Sequence, residues 1–238
     1  MAAGHRSIDA HRRRLSRRLL AALFGTGAPS GTLPERGIHR ILLLRPNHRL
    51  GNTLLLTPLL AELERAYPGA EIDIVSAGPA AAEIFRGYDM VRRMLVLPAK
   101  VVRHPVQLWR LLRHLRKQRY DLAIDPCVGS QSARLLLGLA QARHKLGFTS
   151  EERPGGLTCG VDVPPHPRHM AQLPVYLLRK ARGEAFAAEH CPCLDIRLGD
   201  AEKSMGRDVL RRLLGAGAQA SGPLIGVFGA ASRAKAFP

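Results

Sequence analysis

Acidic and aromatic residues are both scarce in this sequence. Asp and Glu number 19 against 36 Lys and Arg, giving a formal net charge of +17, and aromatic residues make up 5% of the 238 positions. A charge excess of this size predicts an anionic partner such as nucleic acid, a phospholipid surface or a phosphorylated substrate. Hydrophobic residues still reach 46%, so a packed core is expected and wholesale disorder is excluded.

Cysteines are few and form no recognisable framework. The chain has four, at Cys127, Cys159, Cys191 and Cys193, and the last two, next to His190, lack a second pair at zinc-finger spacing. We therefore predict no metal site and interpret these residues as reduced thiols of a cytosolic protein. No apolar run approaches the roughly 20 residues that cross a bilayer, so no transmembrane helix is predicted.

Glycine-rich phosphate-binding motifs are absent as well. Neither G-x-G-x-x-G nor G-x-x-x-x-G-K-[ST] occurs, so the sequence supports neither dinucleotide nor P-loop triphosphate binding. No nucleic-acid-binding motif is recognised, and the shortage of aromatic side chains argues against base stacking. We therefore expect no specific nucleic-acid partner.

Residues 1–37 differ from the rest of the chain. Ser7 caps a predicted amphipathic helix whose polar surface is rich in arginine, and its apolar stripe consists of Ile8, Leu15, Leu19 and Leu23. A linker rich in Gly and Pro follows. One interpretation is an anchor on an anionic membrane surface, and the alternative is a solvated basic tail without a role. A signal peptide is not expected, because no uninterrupted apolar region precedes a cleavage site.

From residue 38 onward, predicted strands alternate with predicted helices. Apolar runs predict strands at 38–45, 71–76, 94–97, 121–125, 145–148 and 224–228. Helical periodicity predicts helices at 53–66, 102–119, 132–142, 170–182 and 201–214, with a short helix after Gly78-Pro79. The alternation predicts an α/β fold, a Rossmann-like, doubly wound parallel sheet, over residues 38–220. Residues 221–238 are expected to begin a second domain that is cut short.

The loop after the first strand is the first candidate site, because ligands of doubly wound folds bind at the carboxyl ends of strands. Residues 45–53 read RPNHRLGNT. Gly51 lets the backbone approach a ligand closely, and a helix that begins near Asn52 offers free amides to an anion.

These residues resemble glycosyltransferase family 9, the lipopolysaccharide heptosyltransferases and their relatives. The resemblance rests on Leu50-Gly51-Asn52 and Thr57-Pro58 after the strand ILLLR. Further matches are YDLAID at 120–125, LGF at 146–148, and GAASRAKAFP at 229–238, which is similar to the family's G-A-x-x-x-x-K-x-W-P element with Phe in place of Trp. The resemblance covers residues 38–238.

The resemblance implies the amino-terminal part of a GT-B enzyme, in which two Rossmann-like domains face a cleft. One domain takes a phosphorylated, lipid-linked glycolipid acceptor of the lipopolysaccharide-core type, and the other takes the nucleotide-sugar donor, typically ADP-heptose. The anomeric centre inverts without a metal, and no cofactor is implied. Such a step requires a general base at the acceptor and positive groups or amides at the diphosphate.

Residue roles follow from the resemblance, with two departures, one at Asn52 and one in the length of the nucleotide-sugar domain. The heptosyltransferases place an Asp, taken to be the base, where this chain has Asn52, whose amide does not accept a proton at neutral pH. Asn52 then orients the acceptor hydroxyl while His48 replaces the base; the alternatives are a helix N-cap for Asn52 and an exposed loop position for His48. Acceptor contacts are expected from Arg49, Gly51, Thr53 and Asp125. Donor-phosphate contacts are expected from Ser232 and Lys235, although most of their pocket is missing.

Two further features have open interpretations. No acidic residue occurs between Met90 and Tyr120, while arginines are frequent there, so the helix at 102–119 is either a phosphate-binding surface or a solvated face over a leucine stripe. Asp125 ends its strand, where it is either a cleft carboxylate or a turn residue before Pro126.

The sequence thus leaves two principal hypotheses. The first is a family 9 glycosyltransferase, cytoplasmic and peripheral to the inner face of the cytoplasmic membrane, which is active as a complete polypeptide but not as a chain ending at Pro238. The second is a catalytically silent module that binds the acceptor or anionic lipid.

Overall fold

The fold is built on a six-stranded sheet in which every strand pair is parallel. The computed structural model describes residues 18, 21–24, 31–47, 49–78, 80–98, 104–151, 155–165 and 169–214. The strands are β1 (Arg40–Arg45), β2 (Glu71–Ala77), β3 (Val91–Leu97), β4 (Tyr120–Asp125), β5 (Ala142–Phe148) and β6 (Cys159–Val161). Their order, β3-β2-β1-β4-β5-β6, is that of the Rossmann fold, which confirms the predicted fold class.

Helices connect the strands and cover the sheet. They are α1 (Leu50–Leu54), α2 (Thr57–Ala66), α3 (Ala80–Ile84), α4 (Pro105–Lys117), α5 (Gln131–Leu139), α6 (Gln172–Ala181) and α7 (Asp200–Leu214), with a 3-10 turn at Ala188–His190. The contact pattern divides the chain after Arg197, and α7 is the described part of the second unit. The predicted strand at 224–228 lies outside the described residues.

The central strand β1 explains why the sheet is covered on both faces. Ile41, Leu42, Leu43 and Leu44 are all fully buried, as expected for a continuous apolar run in a parallel sheet. Ile41 and Leu43 belong to one hydrophobic cluster and Leu42 and Leu44 to another, because successive side chains of a strand point to opposite faces.

The predicted helix at 53–66 is in fact two helices, and Pro58 explains the break. A proline has no N–H, so position 58 cannot donate to the carbonyl of Leu54 four residues earlier. The Thr57 hydroxyl donates to that carbonyl instead, with 2.9 Å between Oγ1 and the oxygen. Thr57 is fully buried, and its Oγ1 also accepts a hydrogen bond from the Asp195 amide at 3.2 Å. The start of α2 is therefore fixed by a side chain.

Two other differences from the sequence prediction have local causes. The helix predicted at 132–142 ends at Leu139, because Gln141 leaves the helix and hydrogen bonds through its backbone to Leu115 and Tyr120. Strand β6 was missed: it has three residues, too few for a periodic signal, and it forms by pairing with β5.

A buried carboxylate links several elements near the amino ends of the strands. Asp73 on β2 accepts two hydrogen bonds from the Arg92 guanidinium on β3, at 3.1 and 2.9 Å, and one from the Tyr120 hydroxyl on β4, at 2.8 Å. Burial alone would raise the pKa of Asp73, but the hydrogen bonds from Arg92 and Tyr120 outweigh it and the pKa is lowered. Burial is likewise the main reason that the pKa of Tyr120 is raised.

Candidate functional site at the switch point of the sheet

The strand order reverses direction between β1 and β4, which lie side by side at the centre of the sheet. Ligands of open α/β sheets bind in the crevice outside the carboxyl ends of the strands at such a point. The described residues that follow the carboxyl ends of these two strands are 46, 47 and 49 after β1 and 126–130 after β4. We define these two segments, together with α1, as the switch-point crevice.

The loop after β1 is held by a local hydrogen bond and opens to solvent. The Arg49 amide donates to the Asn47 side-chain oxygen at 2.9 Å, and Arg49 has the extended conformation of a helix N-cap. Arg49 and Gly51 are exposed and Asn52 is partly exposed. All three predicted site residues are therefore accessible to solvent, and we call them the rim of the crevice.

The structure separates the predicted roles of Gly51, Asn52 and Thr53. A Cβ built on Gly51 meets no atom within 4 Å, so the fold itself does not require glycine there. Asn52 lies inside the first turn of α1 and Arg49 is the N-cap, so the interpretation of Asn52 as a helix cap is wrong. Thr53 is 3% exposed and packs inside the domain, which favours a supporting role. His48 lies outside the described residues.

Asp125 is fully buried at the carboxyl end of β4. Its Oδ1 accepts the Cys127 amide at 3.0 Å, which confirms the turn interpretation. Its Oδ2 lies 3.4 Å from Nε of Arg134, which is itself 1% exposed and donates to the Phe148 carbonyl at 2.6 Å. The carboxylate thus connects the loop after β4 to α5 inside the domain.

A contact that could not be read from the sequence joins the end of β1 to the loop after β4. Nη1 of Arg45, the last residue of β1, donates to Sγ of Cys127 at 3.0 Å. Burial, with the nearby Asp125 carboxylate, raises the pKa of Cys127 to about 12, which disfavours the thiolate and favours a structural role for this residue. The available signal was positional, because each residue stands at or just after the end of a central strand.

The start of α5 contributes hydroxyl groups that were also missed. Ser130 is the N-cap, and its Oγ accepts the Ala133 amide at 3.2 Å. Ser130 Oγ lies 3.2 Å from Oγ of Ser132, which is exposed. A serine directly before a helix at the end of a central strand was the signal, but the sequence prediction began the helix one residue too late.

The crevice has no exposed carboxylate along its described length: Asp125 is the only acidic residue in the segments 46–47, 49–54 and 125–132, and it is buried. Within the part of the chain that the structure covers, no group of three or more His, Cys, Asp or Glu side chains is arranged to hold a metal ion. Ser232 and Lys235, predicted at the donor phosphates, fall outside that part. The crevice can therefore orient and bind through amides, hydroxyls and guanidinium groups.

Comparison with known proteins places this architecture in a structural class. The chain matches no family model and no curated protein. Among solved structures it is similar to Escherichia coli heptosyltransferase WaaC with ADP, at 19% identity and a TM-score of 0.53, covering 66% of this chain and 51% of that one. It is also similar to a family 9 glycosyl transferase from Veillonella parvula DSM 2008, at 18% identity and a TM-score of 0.58, with 75% and 50% coverage.

A third solved structure agrees with these two. E. coli ADP-heptose lps heptosyltransferase II matches at 20% identity and a TM-score of 0.51, covering 72% of this chain and 50% of that one. The domain is thus Rossmann-like, of the kind found in these GT-B neighbours. More particularly, its fold is like that of glycosyltransferase family 9, as the sequence resemblance predicted. The chain spans about half the length of the structures it matches.

Proposed function

We propose that this chain is the acceptor-side half of a glycosyltransferase that moves a sugar from a nucleotide-sugar, ADP-heptose, to a lipopolysaccharide-core-type acceptor. The observation that carries the proposal is the open switch-point crevice, with Arg49, Gly51 and Asn52 on its rim, in a fold like that of family 9. Two of the similar structures were solved with ADP or with ADP-2-deoxy-2-fluoro heptose, which supports the choice of donor.

In the proposed reaction an acceptor hydroxyl attacks the anomeric carbon from the face opposite the diphosphate. The new glycosidic bond forms as the bond to ADP breaks, the hydroxyl proton passes to a base, and the anomeric centre inverts without a metal. His48 is the proposed base, and the Asn52 amide orients the hydroxyl, because an amide can hydrogen bond but cannot take the proton. Arg49 pairs with an acceptor phosphate, and Gly51 leaves room for the sugar.

The other predicted site residues have supporting or donor-side roles in this proposal. Thr53 and Asp125 support α1 and the loop after β4 from inside the domain, and in this proposal they position the acceptor residues without touching the acceptor. Ser232 and Lys235 are proposed to contact the donor phosphates. Since the similar structures are about twice as long as the region they share with this chain, we expect transfer to require a complete donor half.

A catalytically silent acceptor-binding module is the second candidate, and Asn52 is the observation that favours it. With no exposed carboxylate on the described part of the crevice, proton removal depends on His48 alone. In either case we propose a cytoplasmic protein that is peripheral to the inner face of the membrane, where its lipid-linked acceptor lies.

The direct test of both candidates is acceptor binding to the 238-residue chain. Isothermal titration with a deacylated, phosphorylated core oligosaccharide is expected to show saturable binding that Arg49→Ala weakens about 10- to 150-fold, since a charged hydrogen bond contributes roughly 1.5–3 kcal/mol. Arg36→Ala is the matched control, because Arg36 is also exposed but precedes the opposite end of β1. Equal effects of the two substitutions, or no binding at all, would contradict the proposed site.

A transfer assay separates the enzyme from the silent module. It uses the polypeptide translated from the complete reading frame, with ADP-heptose and the same acceptor, and measures ADP release. The enzyme is expected to release ADP and to lose that activity with His48→Gln. Acceptor binding without ADP release supports the silent module, and in that case Asn52→Asp tests whether a carboxylate restores transfer.

A further inference from the structure

The outward face of α4 is exposed and carries charge of one sign beside large apolar side chains. Val106 is 59% exposed and Trp109 is 57% exposed, whereas Leu111 and Leu115 on the opposite face are buried. The spacing of three and four residues places the exposed cations of the helix on the same side as Trp109; they are Arg110, Arg113, Arg116 and Lys117. We refer to the two exposed apolar residues and the four cations together as the α4 face.

Among the described residues, the cations of the α4 face have no acidic partner. The sequence has no Asp or Glu between Met90 and Tyr120, and in the described part of the chain none of the four cations forms an ion pair with another residue. Their charge is therefore available to an external anion. This differs from Arg92, Arg179 and Arg197, each of which pairs with a carboxylate of the protein.

Trp109 is held in its outward position by a neighbouring charge. The Arg113 guanidinium carbon lies 5.1 Å from the centre of the indole ring, which is a cation–π distance. Beside the helix, Val96 on the edge strand β3 is 46% exposed, and a groove of about 370 Å³ runs between β3 and α4. Val96 and Arg110 both line this groove, so an exposed apolar side chain of the edge strand lies beside a cation of the α4 face.

We propose that the α4 face docks on an anionic phospholipid bilayer, with the indole of Trp109 and the side chain of Val106 at headgroup depth and the cations against lipid phosphates. Tryptophan favours the boundary between water and hydrocarbon, and basic side chains near an anionic leaflet are attracted by its surface potential. A nucleic acid would satisfy the cations equally, but it would leave Val106 and Val96 in water, so the apolar half of the surface favours lipid. The proposal is independent of the sugar-transfer reaction.

The chain contains a single tryptophan, so Trp109 itself reports the docking. The experiment mixes the full 238-residue chain with vesicles of phosphatidylcholine alone, of phosphatidylcholine with 30 mol% phosphatidylglycerol, and of the latter with brominated acyl chains. Only the anionic vesicles are expected to shift Trp109 emission to shorter wavelength and protect it from acrylamide, and brominated chains are expected to quench it. Heparin serves as a polyanion without lipid, and it is expected to bind without producing this protection.

The outcomes decide between the α4 face and other attachments. If the protein co-sediments with anionic vesicles while Trp109 stays accessible to acrylamide, attachment occurs elsewhere, for instance through residues 1–24, and the proposal is wrong. No co-sedimentation, or protection by heparin equal to that by vesicles, also overturns it. Loss of acceptor binding in the titration above would leave these results unchanged, so the two proposals fail separately.

Charge variants test the same face. The triple substitution Arg110→Gln, Arg113→Gln and Arg116→Gln is expected to weaken partitioning into anionic vesicles on the order of 100-fold, from a severalfold loss for each guanidinium. The matched control removes three arginines from another exposed helix, through Arg207→Gln, Arg211→Gln and Arg212→Gln on α7. Both variants change the net charge equally. A similar loss of vesicle partitioning in the two would therefore show that net charge alone drives binding, and it would refute docking through the α4 face.

Discussion

Gly51→Ala is expected to stabilise the domain and at the same time weaken acceptor binding. A Cβ at this position meets nothing within 4 Å, and Gly51 lies in the first turn of α1 with no left-handed backbone angle. Replacing a helical glycine by alanine removes conformational freedom from the unfolded chain, a gain of about 0.5–1 kcal/mol. For a domain of this size the melting temperature should rise by roughly 1–4 °C.

Binding should change in the opposite direction if the acceptor contacts the backbone of Gly51. A methyl group inserted into a close contact costs roughly 1–3 kcal/mol, so the dissociation constant should rise about 5- to 150-fold. Differential scanning calorimetry measures the first effect, and titration with the deacylated core oligosaccharide measures the second.

Gly206→Ala is the matched control. Gly206 lies in the helix α7, and its added Cβ also meets nothing within 4 Å. It should leave acceptor affinity unchanged. If Gly51→Ala stabilises the domain and binding is also unaffected, the acceptor does not approach this backbone, and the placement of the site at α1 is refuted.

Three further predictions concern the supports of the fold. Asp73→Asn should lower the free energy of unfolding in urea by about 2–3 kcal/mol, because Arg92 loses its buried partner. The pKa of Asp73 is lowered in the native state, so its carboxylate contributes fully to stability above about pH 4 and loses this contribution as the pH falls further. The free energy of unfolding of the variant should therefore fall less steeply with acidification than that of the unsubstituted protein. Asp125→Asn should lower the free energy of unfolding by about 3–5 kcal/mol, because Arg134, which is 1% exposed, loses its charged partner. A change in acceptor affinity with unaltered stability would instead show that Asp125 contacts the ligand. Thr57→Val should cost about 1–3 kcal/mol and Thr57→Ser much less, because only the hydroxyl bridges Leu54 and Asp195; equal losses would show that packing of the methyl group dominates.

The strands could be predicted where burial alone dictates the sequence. Residues 41–44 are apolar without interruption because both faces of β1 are covered, and such a run is typical of a strand buried in a parallel sheet. The three-residue strand β6 could not be predicted, because it exists through its pairing with β5 and has no periodicity of its own. The break before α2 could be anticipated from Pro58, but the rescue by the Thr57 hydroxyl depends on three-dimensional contact.

The candidate site, too, could be predicted from the sequence only in part. The rim residues Arg49, Gly51 and Asn52 could be located from the sequence, since a loop that follows a central parallel strand lies at the ligand-binding edge. The turn at Asp125 could also be anticipated, but its ion pair with Arg134 on α5 and the contact of Cys127 with Arg45 on β1 could not, because each depends on a partner from another element. A residue type at a strand end shows where a side chain is, but not whether it faces a ligand or the interior.

The two hydrogen bonds of Thr57 also connect distant parts of the molecule. The hydroxyl accepts a hydrogen bond from the Asp195 amide and donates one to Leu54, the last residue of α1, so it links α1 to a residue 138 positions further along the chain than Thr57. We expect a ligand that shifts α1 to disturb the hydrogen bond to Asp195, which lies just before the end of this unit at Arg197. Amide hydrogen exchange at Asp195 should consequently register occupancy of a crevice that it does not border.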